Sequence, residues 1–219
     1  MSHQINKDLF NEFFDALLKG KKDECFRISE LFLAEGLSIK ELYESVFKPA
    51  LYKIGRMWEK NQISVATEHL ATAITETILN SLYNEIKSTK KTGRTAVLAC
   101  LENEFHQVGI KMVRDIFEKN GWETYFLGAN TPAASVVSLA KSIKPDIIAV
   151  SFSIYSHLNI LENMLTAFRQ ELEDIPILAG GQGFLHGGEE MLKQFSNVTY
   201  LPDLNTLEEF IQSYELETV

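Results

Sequence analysis

The sequence predicts a helical bundle followed by a parallel α/β sheet, because two different hydrophobic patterns occupy its two halves. Residues 5 to about 87 carry apolar side chains at helical spacing. After residue 94, short apolar runs alternate with helical patterns, which is typical of a doubly wound parallel sheet. We therefore predict a four-helix bundle at 1–88, a linker at 89–94 and a five-stranded parallel domain at 95–219.

The four predicted helices of the first half are separated by residues that end or start helices. Gly20 and Gly36 follow the first two helices, and Ser38 begins a capping-box pattern for the third. Pro49 lies within the third helix and should kink it or break it. The fourth helix is expected to start at Ser64. The short connections between these helices favour an antiparallel bundle.

Five apolar runs in the second half have the length and composition of buried strands. The predicted strands are Thr95–Leu101, Thr124–Leu127, Asp146–Ser151, Ile175–Ala179 and Val198–Leu201. The helical patterns that alternate with them lie near residues 107–120, 133–143, 157–172, 188–195 and 205–214.

Composition and charge narrow the class of protein. The chain has 219 residues, of which 45% are hydrophobic and 23% charged, and this is ordinary for a globular protein. Its net charge of -9 disfavours broad attraction to nucleic acid or to anionic membranes. The N-terminus lacks a basic and apolar signal region, and no apolar run is long enough to span a bilayer. A cytoplasmic location is therefore expected.

Cys25 and Cys100 lie in apolar patterns, which favours buried thiols over a disulfide.

The loop after the first predicted strand has the components of a metal-ligand turn. His106 offers an imidazole nitrogen, and Glu104 can accept a hydrogen bond from the other ring nitrogen, which would fix the tautomer and raise ligand basicity. Gly109 removes a side chain where a bulky ligand would approach the backbone. Loops at the carboxyl ends of strands are where open α/β sheets bind ligands. A surface histidine beside an ordinary acid explains the same residues, so the loop alone does not decide between this interpretation and a metal ligand.

Two further sets of residues have functional and ordinary interpretations. Trp58 is followed after nine residues by Glu68 and His69, an arrangement that can place an indole and two polar groups at one end of the bundle. A half-buried core tryptophan beside a solvated pair is the alternative. In the sheet, small residues at neighbouring strand ends would leave a slot beside the His106 loop, although capping serines and turn glycines explain them individually. These residues are Ser151, Ser153, Gly180 and Gly181.

Taken together, the three sets resemble cobalamin-binding domains of the base-off, histidine-on type. The signature of that family is Asp-x-His-x-x-Gly, then Ser-x-Leu, then Gly-Gly. The residues that match it here are Glu104, His106, Gly109, Ser151, Gly180 and Gly181. The preceding bundle resembles the helical cap of such proteins, and the domain at 95–219 resembles their Rossmann-like half. The likeness extends from about residue 5 to residue 215.

The resemblance implies a role for each residue. His106 would be the lower axial cobalt ligand, supported by Glu104, and the cobalt would arrive in the corrin ring. Trp58 would pack over the upper face, with Glu68 and His69 hydrogen-bonding nearby. The slot for the displaced nucleotide tail would be lined by Ser151, Ser153, Gly180 and Gly181.

Within the family, Trp58, Glu68, His69 and Glu104 jointly resemble the CarH-type light-sensing regulators. Two positions depart from the patterns. Phe152 and Ser153 follow Ser151 where Ser-x-Leu is expected, and Glu59 follows Trp58 where a histidine of the light regulators can capture cobalt after photolysis. His69, water or His157 remain as upper-face ligands, the last only if its helix start faces the corrin. Only a few residues precede the first helix, so direct binding to nucleic acid is not expected.

Three functions follow as hypotheses. The first is an adenosylcobalamin-binding photoreceptor module that signals through a change in conformation or assembly, with self-association or a protein partner as its output. This hypothesis is favoured by the pattern of Trp58, Glu68 and His69, and it makes the chain a sensor rather than an enzyme. The second is a corrinoid protein that carries methyl groups, as methylcobalamin, between methyltransferases. The third is a cobalamin store or chaperone.

Overall fold

The computed structural model describes residues 5–172 and 174–216 and has two compact units, Met1–Ile86 and Lys87–Val219. The first unit is helical and the second contains a five-stranded parallel sheet, so the predicted fold class is confirmed. The domain boundaries proposed from the sequence stay a prediction. The segment that was expected to be a linker is attached to the second unit, since the backbone N–H of Ser88 donates to the carbonyl of Glu118 and that of Thr92 to Gly121.

The helices of the first unit follow the hydrophobic pattern. Asn6 caps the first helix by accepting a hydrogen bond from the backbone N–H of Leu9 at 3.2 Å. Ser38 and Glu41 form the predicted capping box. The helices are α1 (Lys7–Leu18), α2 (Lys22–Ala34), α3 (Ile39–Leu42), α4 (Lys48–Glu59) and α5 (Val65–Ile86).

The interruption predicted at Pro49 is present as a π-helical segment. Residues Tyr43–Phe47 connect α3 to α4, and the backbone N–H of Lys48 donates to the carbonyl of Tyr43. Proline has no N–H with which to continue the α-helical ladder. A local shift to wider hydrogen-bonded turns just before Pro49 therefore lets the chain continue in helical form.

The five strands are parallel and lie in the order β2-β1-β3-β4-β5. They are nearly continuous apolar runs, because helices cover a parallel sheet on both faces. The fourth strand starts two residues later than predicted, since Pro176 cannot donate to the ladder. The bounds are β1 (Thr95–Cys100), β2 (Glu123–Gly128), β3 (Ile147–Ser151), β4 (Ile177–Gly180) and β5 (Val198–Tyr200).

The helices between the strands lie close to their predicted positions. They are α6 (Val108–Lys119), α7 (Ala133–Ile143), α8 (Leu158–Glu171), α9 (Glu189–Leu192) and α10 (Leu204–Leu216). The pattern did not indicate the short 3-10 turns at Tyr155–His157 and Gln182–His186, because segments this short show no periodicity. Over the described parts of the chain, no helix has the length and apolar character needed to cross a membrane.

One partly buried polar network fixes the entry to β1. Asp146 accepts hydrogen bonds from the Arg94 guanidinium at 2.7 Å and from the backbone N–H of Thr95 at 2.8 Å. Burial raises the pKa of Asp146, but these donors outweigh burial and hold the pKa below its ordinary value of 3.8. The charged carboxylate therefore stabilises the fold above pH 3.8, and this stabilisation is lost as the pH falls through the lowered pKa.

We expect Asp146→Asn to lower the free energy of unfolding by about 2 kcal/mol at pH 7, because hydrogen bonds to a charged group are lost. Chemical denaturation should show a difference from the parent that is constant near neutrality and shrinks below pH 3.8. Glu171→Gln is the control, since the Glu171–Lys141 ion pair is exposed and should contribute little to stability. Equal losses in both variants would contradict the assignment.

Candidate functional site

The carboxylate of Glu104, just beyond the end of β1, is the centre of the candidate site. Glu104 is fully buried. Its Oε1 accepts a hydrogen bond from the backbone N–H of His106 at 3.1 Å and lies 2.5 Å from His106 Nδ1. The loop is thus folded around its own acid, and the acid orients the imidazole.

This contact selects one tautomer of His106. A carboxylate only accepts hydrogen bonds, so Nδ1 must carry the proton and Nε2 then carries the lone pair. The His106 side chain is 45% exposed while Glu104 is buried beneath it. An exposed Nε2 lone pair with Nδ1–H bonded to a carboxylate is the arrangement that metal-ligating histidines adopt.

The second oxygen of Glu104 connects the loop to the end of β3. Its Oε2 accepts hydrogen bonds from the backbone N–H groups of Ser153 at 3.1 Å and Ile154 at 3.0 Å. Because β1 and β3 are neighbours and the strand order reverses there, this is the topological switch point of the sheet. The candidate site therefore lies where open α/β sheets hold their ligands.

The charge state of Glu104 follows from these contacts. Burial alone would raise its pKa. The hydrogen bond and charge of His106, together with the backbone N–H groups of His106 and Ile154, outweigh burial, so the pKa of Glu104 lies below its ordinary value of 4.5. The carboxylate is ionised at neutral pH and available to hold the Nδ1 proton of His106.

Gly109 and Ser151 lie together beside this network. A Cβ placed on Gly109 would be 3.9 Å from the Ser151 hydroxyl oxygen, which is an ordinary van der Waals distance. Ser151 is the last residue of β3 and is 6% exposed. Thus Glu104, His106, Gly109, Ser151 and the backbone of Ser153 share one edge of the sheet, as the sequence led us to expect. Their roles toward a cofactor stay predictions.

The two glycines at the end of β4, Gly180 and Gly181, have a packing role that the sequence did not disclose. A Cβ on Gly180 would come within 2.9 Å of the Leu201 carbonyl oxygen, and one on Gly181 within 2.3 Å of the Phe152 carbonyl oxygen. Gly181 also has a φ of +117°, which side-chain-bearing residues rarely adopt. Close backbone packing thus accounts for both glycines. This packing does not test the predicted slot for the nucleotide tail.

Phe152, which occupies the variable position of the Ser-x-Leu pattern, is a core side chain. It is fully buried, and its ring packs edge-on against Phe184 with centroids 5.1 Å apart. A Cβ on Gly183 would come within 2.5 Å of the Phe152 ring. The ring therefore occupies the space between the ends of β3 and β4.

In the helical unit, the predicted group of Trp58, Glu68 and His69 has an exposed indole and a histidine paired with a carboxylate. Trp58 is 43% exposed near the end of α4. Glu68 accepts a hydrogen bond from the Thr72 hydroxyl at 2.9 Å through Oε1, and its Oε2 lies 2.5 Å from His69 Nδ1. The His69 side chain is 72% exposed. Trp58 is thus partly exposed beside an exposed His69, an arrangement that both interpretations of these residues allow.

Large exposed apolar side chains occur at both candidate regions. In the second unit, Phe105 is 68% exposed, Tyr155 44% and Leu185 66%, all in loops or 3-10 turns that follow strands. Phe105 directly precedes His106. An exposed imidazole held by a buried carboxylate, next to uncovered apolar surface, suits a metal whose other positions are filled by a large macrocycle, because such a metal needs few protein ligands while the ring needs apolar cover. The residues present therefore fit a corrin.

Sequence reasoning missed two contributors. Asn130, after β2, donates its backbone N–H to the Glu104 carbonyl at 2.8 Å and accepts from the backbone N–H of Asn103 at 2.9 Å. Asn103 and Asn130 both have positive φ, which asparagine tolerates better than most residues. The other is His157, whose Nδ1 lies 3.7 Å from Glu104 Oε2. The sequence had suggested it only as an upper-face ligand.

The protein thus has a helical unit and a parallel-sheet unit, and the imidazole of His106 is exposed at the carboxyl end of the sheet. Similarity to known protein families identifies the family of this chain. A B12 binding domain model matches residues 94–211, more than half of the chain, and a second B12 binding domain model matches residues 9–83. The chain belongs to the family of B12-binding-domain proteins, and the family resemblance is confirmed.

Named relatives fall into two groups. The HTH-type transcriptional repressor CarA of Myxococcus xanthus is 31% identical over 126 residues, which are 56% of this chain and 42% of the repressor. Trimethylamine corrinoid protein 1 of Methanosarcina acetivorans is 28% identical over 142 residues, or 63% of this chain and 65% of that protein. The chain thus spans less than two thirds of the length of either relative.

A solved structure shares the fold across both units. The monomethylamine corrinoid protein of Methanosarcina barkeri has a TM-score of 0.81 at 15% identity, covering 96% of this chain and 100% of that one. At this identity the likeness concerns the fold alone.

Proposed function

We propose that this protein is a corrinoid protein that holds cobalamin through His106 and carries a methyl group between partner methyltransferases. The observation that carries the cofactor site is the pair formed by buried Glu104 and half-exposed His106 at the switch point. The carrier role is supported by relatives that are corrinoid proteins and by a corrinoid protein fold that covers nearly the whole chain. It therefore replaces the light sensor as the leading hypothesis.

In this proposal the residues act on the cofactor in distinct ways. Bound cobalamin supplies a cobalt centre that accepts and releases a methyl group. His106 would hold the cobalt through its Nε2 lone pair, and Glu104 holds the Nδ1 proton so that the imidazole is both oriented and more basic. Gly109 leaves the start of α6 open to the corrin. The nucleotide tail is assigned to Ser151, Ser153, Gly180 and Gly181.

The second candidate is an adenosylcobalamin light sensor, and one observation favours it. Trp58 is exposed and Glu68 is paired with His69, which leaves an indole and an imidazole available to an upper ligand. CarA, a transcriptional repressor, is also a relative. Loss of the adenosyl group would then change contacts with the helical unit, and the output would be self-association or binding of a protein partner.

One experiment separates the two candidates. The full chain is loaded in the dark with methylcobalamin and, separately, with adenosylcobalamin. Affinity is measured for each form, and molecular mass is measured before and after green light. A carrier is expected to bind the methyl form at least as tightly as the adenosyl form and to keep its mass after illumination. Preference for the adenosyl form together with a light-dependent change of mass would contradict the carrier.

Trp58→Ala serves as the matched variant in this experiment. A sensor that reads the upper ligand through Trp58 should lose its preference for the adenosyl form, whereas a carrier should keep its affinity for methylcobalamin within about 3-fold, since partly exposed contacts are weak. A store or chaperone would retain both forms without a mass change and would release neither methyl group nor signal to any partner.

A further inference from the structure

The segment between α5 and β1, residues 87–94, is docked against the end of α6, and we call this segment the strap. The backbone N–H of Ser88 donates to the Glu118 carbonyl at 3.1 Å. The backbone N–H of Thr92 donates to the Gly121 carbonyl at 3.0 Å. The strap is therefore held to the second unit at two points along its backbone.

Gly121, in the turn after α6, leaves room for the strap. A Cβ on Gly121 would come within 2.4 Å of the Lys90 carbonyl oxygen. Gly121 also has a φ of +85°, which residues with a side chain rarely adopt. Within the strap, the Ser88 hydroxyl accepts the backbone N–H of Lys90 at 3.2 Å, and the Thr92 hydroxyl accepts that of Arg94 at 3.2 Å. The strap and the turn thus fit each other in shape as well as in hydrogen bonding.

The helix α6 connects the strap to the candidate site. It begins at Val108, two residues after His106, and its twelve residues span about 18 Å to Lys119. The last four carbonyl groups of a helix have no partner within the helix, and the strap supplies a donor for that of Glu118. At the other end, the Gln107 side chain makes no capping hydrogen bond within the described part of the chain. Local contacts therefore hold α6 more firmly at the strap than at the site.

We propose that the strap regulates the site by holding α6 in the position that suits cobalamin, an inference that rests on the proposed function. Gly109 lies in the first turn of α6, where the corrin is expected to approach. A helix forms cooperatively, so capping its last turn limits fraying along its length. The docked strap thus preorganises the start of α6, and bound cobalamin in turn favours the docked strap, because coupling between two sites is reciprocal.

Release of the strap would also change the connection between the two units. Its eight residues span about 28 Å when fully extended. A docked strap therefore combines a short connection with a firmly held site. A released strap combines a long connection with a weaker hold on the cofactor.

The first test uses the cofactor-free full chain, so it does not depend on the proposed function. Trypsin cuts after lysine and arginine, and the strap contains four such residues, Lys87, Lys90, Lys91 and Arg94. Cutting at these bonds requires the strap to leave the turn, so its rate reports on release. Mass spectrometry of the fragments identifies the bond that is cut.

Three variants give this test its contrast. Thr92→Val loses the hydroxyl that accepts the Arg94 N–H and should raise the rate of cutting about 3-fold. Gly121→Ala should raise it at least about 10-fold, because the new Cβ and the Lys90 carbonyl cannot both be accommodated. Thr89→Val is the matched control, since Thr89 is exposed in the same strap and its hydroxyl makes no hydrogen bond within the described residues.

The control should be cut at the rate of the parent. Equal rates in the parent, Thr92→Val and Gly121→Ala would overturn the docking of the strap. If Gly121→Ala does not fold, the comparison of Thr92→Val with Thr89→Val decides the same question.

The second test adds methylcobalamin in the dark and measures the coupling. Saturating cofactor should slow the cutting of the parent strap about 5-fold, and Gly121→Ala should bind the cofactor more weakly by up to the same factor. Thr89→Val should match the parent in both measurements. Unchanged cutting on binding, or a released strap without loss of affinity, would overturn the regulation. If the parent binds no methylcobalamin, the proposed function fails and the regulation with it, while the docking found in the first test stands.

Discussion

Replacing His106 with alanine should abolish the absorbance signature of cobalamin with a protein imidazole below cobalt and weaken binding by about 100-fold or more. Loss of a hydrogen-bonding partner of a ligand already costs 10- to 100-fold in affinity, and loss of the ligand itself must cost at least as much. Water or the benzimidazole of the cofactor would take the vacated position. Absorbance spectra and equilibrium binding of methylcobalamin at neutral pH measure both effects.

His186→Ala is the matched control for this experiment. His186 is also an exposed histidine in a loop that follows a strand, but it lies near Tyr155, with ring centroids 6.1 Å apart, and not against a carboxylate among the described contacts. The control should keep the parent spectrum. Added imidazole should partly restore the spectrum of His106→Ala, because the lost group is a small neutral ligand. An unchanged spectrum in His106→Ala would remove the basis of the proposed site.

The fold was predictable because the strands are apolar on both faces. Runs such as that at β1 are short, rich in β-branched or small residues and bounded by polar turns, so their positions could be inferred within two residues. The largest displacement of a strand start, two residues at β4, depends on the missing N–H of Pro176. The strand order could not be derived from periodicity, because pairing depends on contacts between segments far apart in the chain.

The site was predictable only where its parts are neighbours in sequence. Glu104 and His106 are two residues apart, so their hydrogen bond could be anticipated from the loop. The donors to the other carboxylate oxygen, Ser153 and Ile154, are 49 and 50 residues away and meet Glu104 only because β1 and β3 pair. His157 Nδ1 lies 3.7 Å from the same oxygen because of that pairing, and no local pattern marks it.

Gly181 carries the largest stability effect that we expect. Replacement by alanine should lower the free energy of unfolding by about 3 to 5 kcal/mol, because two costs combine. The backbone at φ +117° is strained for any residue with a side chain, and the new Cβ would lie 2.3 Å from the Phe152 carbonyl oxygen. Denaturation of the cofactor-free protein, followed by fluorescence of the buried Trp122 in a Trp58→Phe background, reports on the sheet unit.

Gly93→Ala separates the two costs. Gly93 also has positive φ, +79°, but a Cβ there has nothing within 4 Å, so this variant should lose only about 1–2 kcal/mol through backbone strain. The excess loss in Gly181→Ala then measures the clash with the end of β3. Similar losses in the two variants would mean that the chain after β4 moves away from Phe152 at little cost. The approach of these two segments would then be adjustable, and close packing against Phe152 would no longer account for Gly181.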